Sequence, residues 1–308
     1  MSNSSRFSTP PKSNAVRGRI SPGSLSALAF LAPALTVIAL VVTFPLLYTL
    51  YQSLTDWVVT NPRPAAFIGL GNYAELLTDA RALGALLRTA GFTLVAVAIQ
   101  MVLGVLMALS MNRYFYGRGL MRTLSLLPIV ATPVAVALVF VLMMNPSSGV
   151  FNVMLRGLGL PGLEWIYGQS SVLPSLVIVD TWQWTPFVML IALAGLATLP
   201  KEPYESARID GASSWQIFFY ITLPMLAPTL FVALLFRLID TLKLFDTIYA
   251  MTQGGPGTAS ETVNLYLYSL GFTYFRMGYA SSLVIALFTL ILALALVLIK
   301  TRRQHALG

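Results

Sequence analysis

Four charged side chains recur at intervals of three residues in an otherwise apolar stretch, and they could bind ions or a polar solute inside a membrane. They are Arg237, Asp240, Lys243 and Asp246. Their signs alternate, and each charge would cost about 2.5–3.5 kcal/mol near the centre of a membrane helix if it had no partner. The spacing therefore indicates either a self-paired ladder that faces neighbouring helices or a path for a polar solute that Asp240 or Asp246 reaches.

A second group of residues could hold a sugar ring, because aromatic faces combined with polar side chains are typical of carbohydrate sites. Trp182 and Trp184 follow Asp180 in a largely apolar region. Two residues apart on a helix, they point about 200° apart, so only one of them could line a cavity. Alternatively, the two tryptophans belong to an aromatic belt at the membrane interface. Further candidates are Tyr249, Asn264 and Tyr268.

Catalytic chemistry has few residues to build on. There is no cysteine, and the single histidine, His305, lies near the C-terminus. Thiol catalysis, disulfides, iron–sulfur centres and histidine-based metal sites are therefore not expected. The chain also has no G-x-x-x-x-G-K-[ST] sequence, which would bind the phosphates of ATP. We expect no catalytic residue, no metal and no cofactor on this chain, and hence a non-enzymatic protein.

The elements that position these residues are predicted to be membrane helices. The chain has 308 residues, of which 57% are hydrophobic and only 10% are charged, whereas soluble domains carry about 25% charged residues. Its uncharged intervals are long enough to span a membrane, which takes about 20 apolar residues. The first is too long for the core of a signal peptide. The sequence predicts an all-α integral membrane protein whose six spans lie at about 25–54, 85–111, 121–144, 171–196, 225–250 and 277–299.

Lys and Arg residues are concentrated before the first span, after the last span and in the second and fourth connections. Because positive charge favours the cytoplasmic side, both termini are predicted to be cytoplasmic. Residues 1–22 are predicted to be a disordered cytoplasmic tail, residues 23–301 the transmembrane domain, and residues 302–308 a second cytoplasmic tail. The net charge of +8 fits membrane lipid and this topology rather than nucleic acid, because the basic residues lie at helix ends.

The cytoplasmic connection at about 200–224 interrupts the apolar sequence with acids, an arginine and a glycine. Pro203 suits the first turn of a helix, and Glu205 can pair with Arg208 across one turn. Gly211 can end that helix, because glycine adopts the left-handed conformation freely. The pattern predicts a short helix over residues 203–210.

A second, amphipathic helix is predicted directly after Gly211. Ser213 or Ser214 can cap its first turn. Its apolar face would consist of Trp215, Phe218, Phe219 and Thr222. Three interpretations fit: an interfacial helix, a DNA-binding helix–turn–helix, which the scarcity of basic residues disfavours, or a helix that docks into a groove of a soluble partner.

The residues of this connection follow the spacing E-A-A, x3, G, x9, I-x-L-P from Glu205 to Pro224. The stretch resembles the EAA loop of ABC-importer permeases, and Ser206 in place of the second alanine is its one departure. Three further segments resemble the sugar-type branch of that family. They are Phe67–Tyr73, the set Phe236, Arg237, Asp240, Phe245 and Asp246, and Gly254–Gly257. The resemblance covers about residues 25–300.

The resemblance implies the type I ABC-importer permease fold and the role of a first-type permease subunit. The expected solute is a sugar or a sugar-like compound, such as an oligosaccharide, a polyol or glycerol phosphate. The expected partners are a second permease subunit, two ATPase subunits that bind ATP and Mg, an extracytoplasmic solute-binding protein and the lipid of a bacterial or archaeal cell (inner) membrane.

The resemblance also implies which residues dock into a cleft of the ATPase. These are Glu205, Ser206, Ala207, Asp210, Gly211, Ile221, Leu223 and Pro224. Glu205 would pair with a basic group of the ATPase, Ala207 would allow close approach, and Gly211 would set the turn. A local pair between Glu205 and Arg208 is the alternative role, and the two roles are compatible.

Two other functions are weighed against the permease. A membrane-embedded enzyme, such as a lipid-modifying transferase, would need acids or histidines clustered at one depth of the membrane. The sequence has only the four charges of alternating sign. A self-sufficient secondary carrier would show an internal repeat, which is not evident in the sequence. We also expect that removal of Asp56 or Asp79 has little effect, because both acids lie in predicted outer loops.

Overall fold

The computed structural model describes the backbone of residues 22–306 and the side chains of residues 30–301. In that part of the chain every regular element is an α- or π-helix, and β structure is limited to one bridge between Thr55 and Phe67. The predicted all-α fold is thereby confirmed. The predicted tail at 1–22 lies, except for Pro22, outside the described residues. The predicted tail at 302–308 is helical as far as Ala306.

Two compact units divide the chain, one at residues 1–49 and the other at residues 50–308. The first unit contains helix α1 (Pro22–Ile38), a π-helical segment (Ala39–Thr43) and the start of helix α2 (Phe44–Ser53). The run Phe30–Ser53 is long and apolar enough to cross a membrane, in agreement with the predicted first span.

The second unit contains the remaining helices. They are α3 (Gly71–Thr78), α4 (Ala80–Asn112), α5 (Arg118–Val130), α6 (Pro133–Met143), α7 (Val150–Gly157), α8 (Val172–Ala197), α9 (Glu202–Ile209), α10 (Ser214–Ile217), α11 (Leu223–Leu242), α12 (Asp246–Thr252), α13 (Val263–Tyr268) and α14 (Met277–Ala306). Helices α4, α8 and α14, and the continuous run from α10 through α11, are each long and apolar enough to span a membrane. The predicted second, fourth and sixth spans agree with α4, α8 and α14 within several residues.

The third predicted span, 121–144, is not one straight helix. Helices α5 and α6 meet at an angle of 96°, and the two residues between them, Ala131 and Thr132, have extended backbone conformations. The cause is Pro133, which disfavours the helical conformation in the residue before it and occupies the first turn of α6. Gln183 of α8 donates from Nε2 to the Ala131 carbonyl at 3.2 Å, which satisfies one backbone group that the break exposes.

The fifth predicted span, 225–250, is wrong at its C-terminal end. Helix α11 ends at Leu242, and after a break at residues 243–245 helix α12 begins at Asp246. Both sides of the break are stabilised. Asn264 Nδ2 donates to the Leu242 carbonyl at 3.0 Å, and the negative charge of Asp246 lies in the first turn of α12, where the helix dipole favours it.

Helices α4, α8 and α11 form the centre of the second unit, and they approach closely at glycines. A Cβ atom added to Gly104 of α4 would lie 2.6 Å from Val188 of α8, and one added to Gly195 of α8 would lie 2.7 Å from Leu226 of α11. Small residues at such positions let membrane helices pack backbone to backbone. We call the end of this bundle where α4 begins the Asp79 end, and the opposite end the Gly211 end.

Candidate docking element and buried ion network

The connection at the Gly211 end is a helix, a glycine turn and a second helix, as predicted. Pro203 lies in the first turn of α9, and Arg208 lies in its last turn, where a positive charge is favourable. Gly211 has a φ of +77°. The Ala212 amide donates to the Ala207 carbonyl at 2.9 Å, so the turn also satisfies a carbonyl at the end of α9.

The second helix starts from a capping box. Ser213 accepts a hydrogen bond from the Gln216 amide at 3.4 Å, and the Ser213 amide donates to Gln216 Oε1 at 2.7 Å. The cap is therefore Ser213 rather than Ser214. From Ser214 the helix continues through a π-helical segment (Phe218–Thr222) into α11, so Pro224 does not end it.

The surface of this element is open. The predicted docking residues Glu205, Ser206, Asp210, Gly211 and Pro224 are exposed, whereas Ala207, Ile221 and Leu223 are half-buried. The predicted apolar face is not buried as a unit, because only Thr222 is buried. Trp215 is 73% exposed and stacks on Phe219 at a centroid distance of 5.9 Å. The exposed acid and aromatic side chains indicate that this element is a contact surface for another molecule.

The predicted local pair between Glu205 and Arg208 is absent from the ion pairs of the described residues. Both side chains instead border a cavity of about 480 Å³ at the Gly211 end. The ends of α4 and α8 form its other side, through Asn112 and Leu196 among others. Glu205 is thus available to a group outside the described part of this chain.

Further into the bundle, Arg237 of α11 is the centre of a buried polar network. Its NH2 group donates to Asp180 Oδ2 at 3.1 Å and to Thr241 Oγ1 at 2.9 Å. Its Nε donates to Gln100 Oε1 at 2.8 Å, and its NH1 donates to Asp240 Oδ2 at 2.7 Å. Arg237 is 1% exposed, and a buried charge of this kind is tolerated only when it is paired and hydrogen-bonded.

Two partners of Arg237 also bond to each other, so the network joins three spans. Gln100 Nε2 of α4 donates to Asp180 Oδ2 of α8 at 2.6 Å. The ring of Trp184 lies under the Arg237 guanidinium, with 4.8 Å between the Arg237 Cζ and the ring centroid. Asp180 and Gln100 were not among the predicted site residues. The signal that could have indicated Asp180 is that it is the one acid in the predicted fourth span.

The network lies within the membrane-spanning helices, and on α8 it is closer to the Asp79 end. Gln100 is about 18 Å along α4 from Asn112, and Asp180 is about 26 Å along α8 from Ala197, at 1.5 Å per residue. The hydrocarbon core of a bilayer is about 30 Å thick. Helix α11 ends at Leu242, five residues after Arg237, and therefore inside the bundle.

The predicted charge ladder is therefore corrected. Arg237 pairs with Asp240 within α11 and with Asp180 of another helix. Lys243 caps the end of α11, and Asp246 opens α12 on the other side of the break. No ion pair of the described residues includes Lys243 or Asp246. The ladder fails because its four positions do not belong to one helix.

The structure places the predicted solute-path residues in three locations. Asp240 and Trp184 belong to the network, and the Asp240 side chain is 54% exposed. Trp182 points away, as its spacing from Trp184 predicts, and contacts Phe140 edge-on at 5.4 Å. The other two, Asp246 and Tyr249, lie on α12 and are exposed.

A third polar cluster lies at the Asp79 end. Asp79 caps α4 by accepting from the amides of Arg81 and Ala82, and it also accepts from Tyr266 Oη at 2.6 Å and Tyr279 Oη at 2.7 Å. Burial raises the pKa of the Asp79 carboxyl, but these four hydrogen bonds outweigh it and hold the pKa below its ordinary value of 3.8. Burial and the bond to Asp79 raise the pKa of Tyr266. Asp79 thus makes four specific hydrogen bonds, which the sequence did not indicate, and the effect of its removal stays a prediction.

Comparison with known proteins places this chain among transporter subunits. Residues 100–304 match the profile of the family described as binding-protein-dependent transport system inner membrane component. A probable ABC transporter permease protein of Sinorhizobium fredii is 41% identical over 81% of this chain and 81% of its own length. The trehalose/maltose transport system permease protein of Thermococcus litoralis is 38% identical over 88% of this chain and 91% of its own length.

A solved structure shares the fold. A chain of a bacterial alginate ABC transporter, crystallised with an alginate-bound periplasmic protein, superimposes with a TM-score of 0.79. It is 24% identical, and the alignment covers 92% of this chain and 95% of that one. The arrangement of helices described above is therefore that of an ABC-importer permease.

Proposed function

Because this chain belongs to the family of binding-protein-dependent transport system inner membrane components, we propose that it is one of two permease subunits in an ABC importer for a sugar or sugar-like solute. Its relatives include a trehalose/maltose permease protein and a sulfoquinovosyl glycerol permease protein. The chain itself is a multi-pass membrane protein of the inner membrane. Hydrolysis of ATP, with its Mg, is assigned to separate ATPase subunits.

The observation that carries the proposal is the exposed docking element at the Gly211 end. An acid, Glu205, and apolar side chains such as Trp215 and Phe219 are open to solvent on a rigidly capped turn. A short exposed helix with this mixture of groups suits the groove of a soluble partner. The partner proposed here is the ATPase subunit, with a basic group opposite Glu205 and with Ser206, Ala207, Asp210 and Gly211 at the contact.

The remaining predicted docking residues have a supporting role. Ile221 and Leu223 are half-buried, and Leu223 packs with the cluster of apolar side chains that joins α4, α8 and α11. Pro224 lies in the first turn of α11. These three residues are proposed to fix the docking element to the bundle, so that a displacement of the element moves α11 as well.

Motion of the ATPase can then reach the middle of the membrane along one helix. The run Ser214–Leu242 is a continuous helix that starts at the docking element and ends at the Arg237 network. ATP shifts a transporter between states only if it binds one state better than the other. A helix that joins the ATPase contact to the buried network provides the mechanical link for that shift.

The solute is proposed to pass beside the break between α11 and α12. Interrupted helices near the middle of the membrane are typical of solute sites in transporters. Asp240 has an exposed carboxylate that can accept hydrogen bonds from hydroxyl groups, while its bond to Arg237 fixes its position. Trp184 is held against the same guanidinium. Arg237 makes four hydrogen bonds within the network and is 1% exposed, so it is not assigned to the solute.

The orientation of the chain in the membrane follows from the proposed contact with the ATPase. The Gly211 end is proposed to face the cytoplasm, where ATP is available, together with both termini. The Asp79 end would then face outward and receive the solute from a solute-binding protein. The second permease subunit would complete the path, because one chain of this fold supplies only half of it.

Reconstitution of the transporter tests the proposal. The chain is incorporated into proteoliposomes with the second permease and the ATPase encoded beside it, and with the solute-binding protein on one side. We expect uptake of a sugar that depends on ATP on the other side. Uptake by this chain without the ATPase, or no copurification with the ATPase, would contradict the assignment.

A further inference from the structure

Four aromatic rings lie in contact beside the break between α11 and α12, three of them in mutual contact and the fourth extending the group from Tyr268. Phe245 contacts Tyr249 at a centroid distance of 5.2 Å and Tyr268 at 5.3 Å. Tyr249 contacts Tyr268 at 5.2 Å, and Tyr268 contacts Phe272 at 5.1 Å. We call these four side chains the ring row. They come from two chain segments that are distant in sequence, so the row is a product of the fold.

The ring row starts at the break. Phe245 is the residue directly before α12, and the end of α11 is tied to α13 by the bond from Asn264 to the Leu242 carbonyl. Tyr249 lies one turn further along α12, and Tyr268 lies one turn beyond Asn264 on the other segment. The first rings of the row therefore adjoin the break beside which the solute is proposed to pass.

The ring row leads towards the Asp79 end. The Val263 amide, at the start of α13, donates to Thr89 Oγ1, and Tyr266 further along reaches Asp79. Asp79 and Thr89 are about 15 Å apart along α4, at 1.5 Å per residue. Helix α13 thus runs outward, and Phe272 follows it in the same direction.

The rings are accessible, although Phe245 also packs against the core cluster that includes Phe140 and Ile248. Phe272 is 64% exposed and Tyr249 is 38% exposed, while Phe245 and Tyr268 are half-buried. The neighbouring Tyr249 side chain raises the pKa of Tyr268. The row therefore offers apolar ring faces with polar groups at their edge, which is the amphipathic character that makes tyrosine a common contact residue.

We propose that the ring row is a binding track for the linked rings of an uncharged oligosaccharide on its way from the Asp79 end to the break. A sugar ring has an apolar face of axial C–H groups and a rim of hydroxyls, so it matches a ring face flanked by tyrosine hydroxyls and by Asp246. Tyr249, Tyr268 and Phe272 follow one another at centroid distances of 5.2 and 5.1 Å, with Phe245 beside the first two, and such a succession suits linked sugar units better than a single one. The inference rests on the proposed function and specifies the solute class.

A lipid acyl chain fits the same row less well. The break beside Phe245 carries the charged side chains Lys243 and Asp246, both exposed, and a hydrocarbon chain would cover these charges without pairing them. A sugar hydroxyl can bond to either charge. A helix of the second permease is the other possible occupant, and the experiment below distinguishes it.

The experiment uses the complete transporter in proteoliposomes, with radiolabelled maltose and maltotriose as probes. Tyr268→Ala and Phe272→Ala remove one ring each, whereas Tyr268→Phe and Phe272→Tyr keep a ring in place. Phe288→Ala is the matched control, because Phe288 is an exposed aromatic of α14 outside the row. Sugar uptake and ATP hydrolysis are measured together for each variant.

We expect each alanine variant to take up maltotriose roughly three- to tenfold more slowly, the range that the loss of one aromatic contact predicts. ATP hydrolysis should be retained, so the number of sugars moved per ATP falls. Maltose uptake should fall less, because the shorter sugar meets fewer rings. The ring-keeping variants and Phe288→Ala should match the unmodified protein.

Two results would overturn the inference and leave the proposed function intact. One is ATP-dependent uptake of both sugars at normal rates by both alanine variants. The other is loss of the second permease on purification of either alanine variant, which would make the ring row a subunit interface. Failure of the unmodified transporter to take up either probe sugar would also overturn the track, whereas the proposed function is contradicted only by uptake without the ATPase or by failure to copurify with it.

Discussion

Asp180 of α8 and Arg237 of α11 form an ion pair of 3.1 Å in which each side chain is only 1% exposed. Gln100 of α4 bonds to both of them. Three spans are thus joined at one buried point. A buried pair of this kind contributes little net stability over an apolar replacement, but removal of one partner leaves an uncompensated charge. The pair therefore fixes the register of the spans.

Loss of one member of this pair should destabilise the protein strongly. Arg237→Met should lower the free energy of unfolding by about 3–5 kcal/mol, because Asp180 would stay buried without a positive partner. Asp180→Asn should cost less, because Arg237 keeps its ion pair with Asp240. The double variant Asp180→Leu with Arg237→Met should lose less than the sum of the two single variants. Thermal unfolding in detergent measures all of these variants. Additive losses would show that the two side chains act independently.

The docking element and the ion network differ in how far they could be predicted from sequence. The element depends on Pro203, Gly211 and Ser213, which act within a few residues of themselves, so the helix, the turn and the cap were all predicted. The network joins residues 57 and 137 positions apart. No local pattern indicates such contacts, and sequence spacing instead suggested a ladder on one helix.

The two breaks in the spans also differ in how far they could be predicted from sequence. The break before α6 precedes Pro133, which has a known effect on the preceding residue. The break after Leu242 contains neither proline nor glycine, and it is held by Asn264 from a distant segment. An unbroken fifth span was therefore predicted, and the separation of Asp246 from Asp240 emerged only from the tertiary contacts.

Reversal of the charge at Glu205 should uncouple transport from ATP hydrolysis. Glu205→Lys should abolish ATPase stimulation and uptake in the reconstituted transporter, because a like charge would face the proposed basic group of the ATPase. Glu202→Lys is the matched control, since Glu202 is an exposed acid in the first turn of the same helix. Equal losses in both variants would indicate a general charge effect rather than a specific contact.

Substitution of Gly211 tests the turn itself. A Cβ atom at this position meets no other atom within 4 Å, but the φ of +77° disfavours any residue with a side chain. Gly211→Ala should therefore cost about 1–2 kcal/mol in local stability and reduce coupling without unfolding the bundle. Uptake and ATPase stimulation should fall in parallel, whereas the midpoint of thermal unfolding should change little. A lower midpoint with normal coupling would contradict this role.

Close contact between α4 and α8 should not tolerate a larger residue at Gly104. A methyl group there would lie 2.6 Å from Val188, so Gly104→Ala should lower the free energy of unfolding by about 1–3 kcal/mol through overpacking. The additional change Val188→Ala should restore part of the loss. Gly91→Ala on the same helix is the control, since its new methyl group meets nothing within 4 Å; it should be neutral or stabilising.

Asp79 should stabilise the protein in a pH-dependent way. Its folded pKa lies below the ordinary value of 3.8, so folding favours the ionised form. The stability gained is fully present well above pH 3.8 and is lost as the pH falls through the folded pKa. Asp79→Asn should lower the unfolding midpoint at neutral pH, because a neutral amide accepts the bonds from Tyr266 and Tyr279 more weakly.

The difference in unfolding midpoint between the unmodified protein and Asp79→Asn should therefore be constant from about pH 7 to about pH 5. It should shrink below about pH 4. Asp56→Asn is the control, because Asp56 is an exposed acid that accepts from the Ala66 amide near the same end of the bundle. A difference that grows as the pH falls would mean that Asp79 is protonated in the folded protein. The four hydrogen bonds it accepts would then not stabilise its charge.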